Sequence, residues 1–105
     1  MKQYHATEPS NAGNILTHGL KTEKTSEGVI YLASDPITAA LFLWIRGTTQ
    51  CTVFEIDLPL SYKIEKSDDH NNDYFKSIYP DFGESYYVNS DIRPEYITDV
   101  TTVEF

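Results

Sequence analysis

Cys51 is the only cysteine in 105 residues, so an intramolecular disulfide is excluded. It sits in an apolar run, where a buried, inert thiol is the ordinary expectation. No apolar run approaches the roughly 20 residues a helix needs to cross a bilayer. The opening MKQYH lacks the pattern of a secretory leader, and the expected setting is cytoplasmic. Basic residues are scarce: 8 Lys and Arg stand against 16 Asp and Glu, for a formal net charge of −8. Binding to a phosphate backbone needs clustered cations, and this balance weakens it. It suits a soluble protein, or one whose partner is basic. There is no glycine-rich phosphate loop, no Cys/His set at metal-ligand spacing, and no Ser or Cys nucleophile elbow. His5, His18 and His70 are scattered, so no metal is expected. Repeats, low-complexity tracts and linkers are also absent, which leaves one domain spanning residues 1–105.

What is present argues for a folded globule. Apolar residues make up 40% and aromatics 13%, with eight tyrosines and five phenylalanines. The acidic patch DDHNND at 68–73 lacks the glycine and terminal glutamate of a calcium loop and is expected to be a solvated loop. Alternation at 2–7 predicts a first strand. A short helix follows over 8–19, with Pro9 in its first turn, Ala12, Ile15 and Leu16 on one face, and Gly19 as its cap. Residues 21–27 are polar and predict a loop. A strand at 28–33 leads to a helix from Pro36 to about Arg46, capped by Asp35 and apolar around most of its surface. It should therefore be buried on more than one side. Residues 51–57 predict a strand closed by the Pro59 turn. The stretch 62–82 is poorly patterned, with weak helical character at 74–78. Residues 84–89 predict a strand, 93–97 a helical turn and 100–105 a last strand. The class is α+β with two short helices, and an antiparallel or mixed sheet split around a cleft is one arrangement it allows.

Three polar residues are candidates for chemistry. His5 lies in the first strand with Gln3 and Thr7 as period-2 neighbours, which places it on the more polar face. Tyr31 shares its strand face with Val29 and Ala33, two small residues that leave its ring accessible. Glu84 opens a strand just after Gly83, with Tyr86 and Val88 on its face. Taken singly, such residues are ordinarily a surface histidine, a core tyrosine and a solvated glutamate.

Their order along the chain changes the weighing. YHAT at 4–7, HGL at 18–20, IYLASDP at 30–36 with the alanines 39 and 40, and GESYYVNSDIRPEYI at 83–97 resemble the ADP-ribosyltransferase fold. The likeness runs toward small bacterial and phage members and DarT-type toxins, and more distantly toward RNA 2′-phosphotransferases. In the branch marked by a histidine, a tyrosine and an acidic residue, the match falls on His5, Tyr31 and Glu84. The resemblance implies that NAD is a substrate held by His5, Thr7, Tyr31 and Ser34. It implies that His5 hydrogen-bonds a ribose hydroxyl, that Tyr31 stacks on nicotinamide, and that Glu84 accepts from the nicotinamide-ribose 2′-hydroxyl. Glycosidic cleavage builds an oxocarbenium-like cation, which a fixed carboxylate stabilises.

Departures from the family pattern narrow the expectation. The branch with an arginine and a Ser-Thr-Ser strand is not matched. Phe82 stands two residues before Glu84, where transferases that modify arginine carry Glu or Gln. Arg46 and Arg93 are the only arginines, too few for a phosphotransferase site. Glu95 rivals Glu84 for the acidic role, but it follows Pro94 in what reads as a turn leaving the cleft.

Three functions remain open. The first is an NAD-dependent mono-ADP-ribosyltransferase acting on a protein or nucleic-acid acceptor, phage-encoded and directed at a host or defence component. The second is a non-catalytic acidic binding protein that occupies a partner's nucleic-acid site. The third is an NAD- or ADP-ribose-binding module without turnover.

Overall fold

The computed structural model describes residues 2–25, 27–67 and 72–105, with Asn72 by its backbone alone. The chain runs β1 (Lys2–Thr7), α1 (Ala12–His18), β2 (Ile30–Ala33), α2 (Pro36–Trp44), β3 (Gln50–Asp57), β4 (Glu65–Lys66), α3 (Asn72–Ile78), β5 (Ser85–Val88) and β6 (Ile97–Glu104). The strands form one sheet in the order β4-β5-β2-β1-β3-β6, and all neighbouring pairs are antiparallel. The expected α+β class is the one observed, with three short helices among the described residues rather than two. Most of the acidic stretch 68–73, including His70, lies outside the described residues.

Pairing across the sheet is uneven. β1 and β3 pair along the whole of β1, from Lys2 with Asp57 to Thr7 with Thr52. β2 and β5 pair from Ile30 with Val88 to Ala33 with Ser85. β1 and β2, at the centre, share the single pair Tyr4 with Ala33. The sheet is thus two three-strand halves joined at one point, parting beyond it.

Each face of the sheet carries a core. On one, Ile30, Leu32, Phe54, Ile56 and Val88 pack with Ile15, Leu20, Leu58 and Ile92. On the other, Ala33, Cys51, Val53 and Val103 pack against Ala39 and Ala40 of α2. Helix α2 has a second buried side, where Leu41 meets Phe75 of α3 and Phe82. Phe75 and Phe82 stack at 4.7 Å, and Phe42 sits edge-on to both at 5.6 and 5.8 Å. An apolar surface around most of a helix needs two partners, and α2 has them. The same packing accounts for α3, whose short sequence carries little periodic signal and which docks through buried Phe75.

Several sequence expectations are corrected by tertiary packing. The face of β1 that carries Gln3, His5 and Thr7 is polar in composition but pairs with Ile56, Phe54 and Thr52, and Gln3 and Thr7 are buried. Ile15, Leu20, Leu58 and Ile92 pack over this side of the sheet at Phe54 and Ile56, so the face is covered and not open. The Gln3 amide is 1% exposed and has no hydrogen-bond partner among the described residues. Leu16, expected on the buried side of the first helix, is 46% exposed, because so short a helix docks through Ile15 with Ala12 beside it. Val29 and Glu84 fall just outside the strands they were expected to join.

Local chemistry then fixes the junction of β2, α2 and β5. Asp35 caps α2: its Oδ1 accepts from the Thr38 N–H at 2.9 Å and its Oδ2 from the Thr38 hydroxyl at 2.6 Å, with Pro36 in the first turn. The Thr38 Oγ1 in turn accepts from the Gly83 N–H at 2.9 Å. A Cβ at Gly83 would stand 2.1 Å from the Ser34 Oγ and 2.7 Å from the Asp35 Oδ2, so the approach excludes a side chain. Gly19 ends α1 at φ 78°, where a Cβ would meet the Ile92 carbonyl at 2.1 Å.

Candidate functional site

Where β1 and β2 part, a cleft of about 470 Å³ opens, within the size range of small-molecule sites. Its strand walls carry His5, Thr7 and Tyr31. The segment before β2 adds Lys24 and Glu27, and α2 with its C-terminal turn adds Phe42 and Arg46.

The His5 ring spans the parted strands. Its Nδ1 lies 2.8 Å from the Tyr31 carbonyl, occupying the place a ladder hydrogen bond would take. A carbonyl only accepts, so Nδ1 carries the proton and Nε2 is left as an acceptor in the neutral ring. Burial pushes the His5 pKa down, opposed by the hydrogen bond to Tyr31, and the neutral form is the favoured one. The cleft therefore offers an uncharged imidazole acceptor, suited to a hydroxyl.

Tyr31 is half-buried, and its hydroxyl donates to the Glu27 carboxylate. Thr7 is buried on the cleft wall. Ser34 and Glu84 are brought together elsewhere: the Ser34 Oγ accepts from the Glu84 N–H at 2.9 Å, and the Ser34 N–H donates to the Glu84 carbonyl at 3.0 Å. Neither lines the cleft. The Glu84 carboxylate lies 3.2 Å from the Lys66 Nζ. Lys66 pairs with Tyr86, whereas Tyr31 pairs with Tyr87. Adjacent strand residues point to opposite sides, so the Tyr31 ring and the Lys66–Glu84 pair lie on opposite sides of the sheet. Glu95 lies in a turn over Pro94–Tyr96, in an ion pair with Arg93 at 2.6 Å, and is also outside the cleft lining.

Sequence inspection passed over Lys24 and Glu27 because they fall in a polar stretch without periodicity, where charge is ordinarily solvated. Glu27 reaches Tyr31 and Lys24 reaches the cleft only through the placement of this segment before β2. Cys51 is buried with its thiol pKa pushed up by burial, so the reactive thiolate is disfavoured. Among the described residues no group of three or more His, Cys, Asp or Glu is placed to hold a metal, and no helix is long and apolar enough to cross a membrane.

Fold and cleft together define a small α+β domain with a ligand-sized cleft where an antiparallel sheet parts. No family model matches the chain, and no curated protein matches it.

Proposed function

We propose that this chain binds NAD in the cleft between β1 and β2 and acts as an ADP-ribosyltransferase toward a protein or nucleic-acid acceptor. The observation that carries this proposal is that the His5 ring bonds the Tyr31 backbone carbonyl across the two parting strands and that both residues line one ligand-sized cleft. Its donor set fits the dinucleotide. Tyr31 offers an aromatic face to the cationic nicotinamide, the neutral His5 ring pairs with a ribose hydroxyl, and Arg46 and Lys24 face the anionic pyrophosphate.

Cleavage of the ribose C1′–nitrogen bond leaves its electron pair on nicotinamide and positive charge on the ribose, which the acceptor then attacks. Glu84 is the carboxylate that would stabilise that charge. Turnover requires it to leave Lys66 and turn round the end of β5, which it precedes by one residue. Breaking an exposed ion pair of this kind costs no more than about 1 kcal/mol, and the two hydrogen bonds of the Glu84 main chain with Ser34 must open as well.

The position of Glu84 on Lys66, outside the cleft lining, favours a second function: NAD or ADP-ribose binding without turnover. Calorimetry with NAD and ADP-ribose, together with intact-mass analysis of candidate acceptors, separates the two. The transferase is expected to add ADP-ribose units, and Glu84→Gln should lower that rate by about a hundredfold or more while leaving NAD affinity in place. Binding with neither NAD consumption nor added mass selects the second function. Absence of NAD binding refutes the transferase, and absence of binding to either compound refutes both.

A further inference from the structure

The contact between Glu27 and Tyr31 places a carboxylate at the hydroxyl of the aromatic ring that faces the cleft. A phenol that donates to a carboxylate gains electron density, and its ring face becomes more negative. A cationic ring stacked there is attracted both by the face and by the carboxylate, whereas a neutral ring of the same shape gains neither electrostatic contribution.

The other charges of the cleft support a ligand of mixed sign. Five of the eight basic residues, Lys2, Lys21, Lys63, Lys66 and Arg93, pair with carboxylates at 2.6–3.8 Å. Lys24 and Arg46 make no ion pair among the described residues, and both line this cleft. One cleft thus combines a carboxylate-backed aromatic ring with two cations that make no ion pair among the described residues, and the Glu8 carboxylate lines it too.

We propose that Glu27, acting through the Tyr31 hydroxyl, is a specificity-determining residue that selects a positively charged aromatic ring, so that an oxidised pyridine dinucleotide binds in preference to its reduced, uncharged-ring form. This rests on the assignment of NAD to the cleft.

The test is titration of the full chain with NAD and with NADH by calorimetry, for the wild type, Glu27→Gln and Tyr31→Phe. The wild type is expected to prefer NAD by roughly tenfold, the size of a partly desolvated cation–π contribution. Glu27→Gln, which keeps the ring face, is expected to lower the ratio to about threefold, and Tyr31→Phe, which keeps ring and carboxylate but breaks the hydrogen bond between them, to a value between that and the wild type's. Glu27 is exposed on a turn, so Glu27→Gln leaves the core untouched. A wild type without the preference, or a preference unchanged in Glu27→Gln, overturns the inference. A second pair of probes, 1-methylnicotinamide and neutral nicotinamide, is read by the NMR shifts of the Tyr31 ring. If neither dinucleotide binds, the assignment of NAD fails. The inference then survives only if the methylated cation is preferred and Glu27→Gln lowers that preference by a similar factor of about three; any other result overturns it.

Discussion

Replacing Thr38 by valine removes one hydroxyl from the junction of β2, α2 and β5 and leaves the shape of the side chain nearly unchanged. That hydroxyl is fully buried, accepts from the Gly83 N–H at 2.9 Å and donates to Asp35 at 2.6 Å. Valine leaves the Gly83 N–H without its acceptor, and an unsatisfied buried donor costs about 1–3 kcal/mol. The Asp35 cap survives in part, since the Thr38 backbone N–H still reaches its Oδ1. A net loss of about 2–3 kcal/mol follows, which for a domain of this size lowers the Tm by roughly 10 °C or more. Thr38→Ser keeps the hydroxyl and loses a methyl group, for about 1 kcal/mol. Urea denaturation of both variants, with hydrogen exchange at the Gly83 amide, checks the assignment. Exchange at Gly83 should accelerate in the valine variant and stay slow in the serine variant. A Thr38→Val protein within about 0.5 kcal/mol of wild type, or less damaged than Thr38→Ser, refutes the role given to this hydroxyl.

Two further substitutions test the core of β1. His5 has its pKa lowered by burial, so below the usual histidine pKa of about 6.5 the unfolded chain binds a proton that the folded chain resists. Stability present at neutral pH should therefore fall as pH drops from about 7 toward 5. His5→Gln should show a shallower decline in parallel urea titrations; equal slopes contradict a buried neutral imidazole. Gln3→Leu removes an amide that is buried without a partner and keeps similar volume. It should raise stability by about 1–2 kcal/mol in the same assay, and a loss would show that the amide is satisfied in solution.

Much of the local structure was legible from residues close in sequence. Asp35 before Pro36 defines the start of α2, because cap and first turn are made within three residues. Alternation marked β1, the run at 51–57 marked β3, and Gly19 marked the end of α1. The near-complete apolar surface of α2 already required two packing partners, although not their names.

The tertiary structure alone decided the rest. Polarity assigned Gln3, His5 and Thr7 to an open face, but pairing with a strand some fifty residues away sets them beside Phe54 and Ile56, on the side of the sheet that Ile15, Leu20, Leu58 and Ile92 cover. The two-residue β4 exists only against β5 and has no signal of its own. His5 and Tyr31 meet because β1 and β2 part after one pair, a feature of register that no local pattern carries. Glu84 is held at Ser34 and Lys66, while Glu27 from an unpatterned loop reaches Tyr31. Local sequence marked most of the elements, because caps, turns and alternation act over a few residues, while β4 and the start of α3 needed their packing partners. Which carboxylate stands in the cleft was decided by chain segments distant in sequence, through contacts that exist only once the sheet has closed.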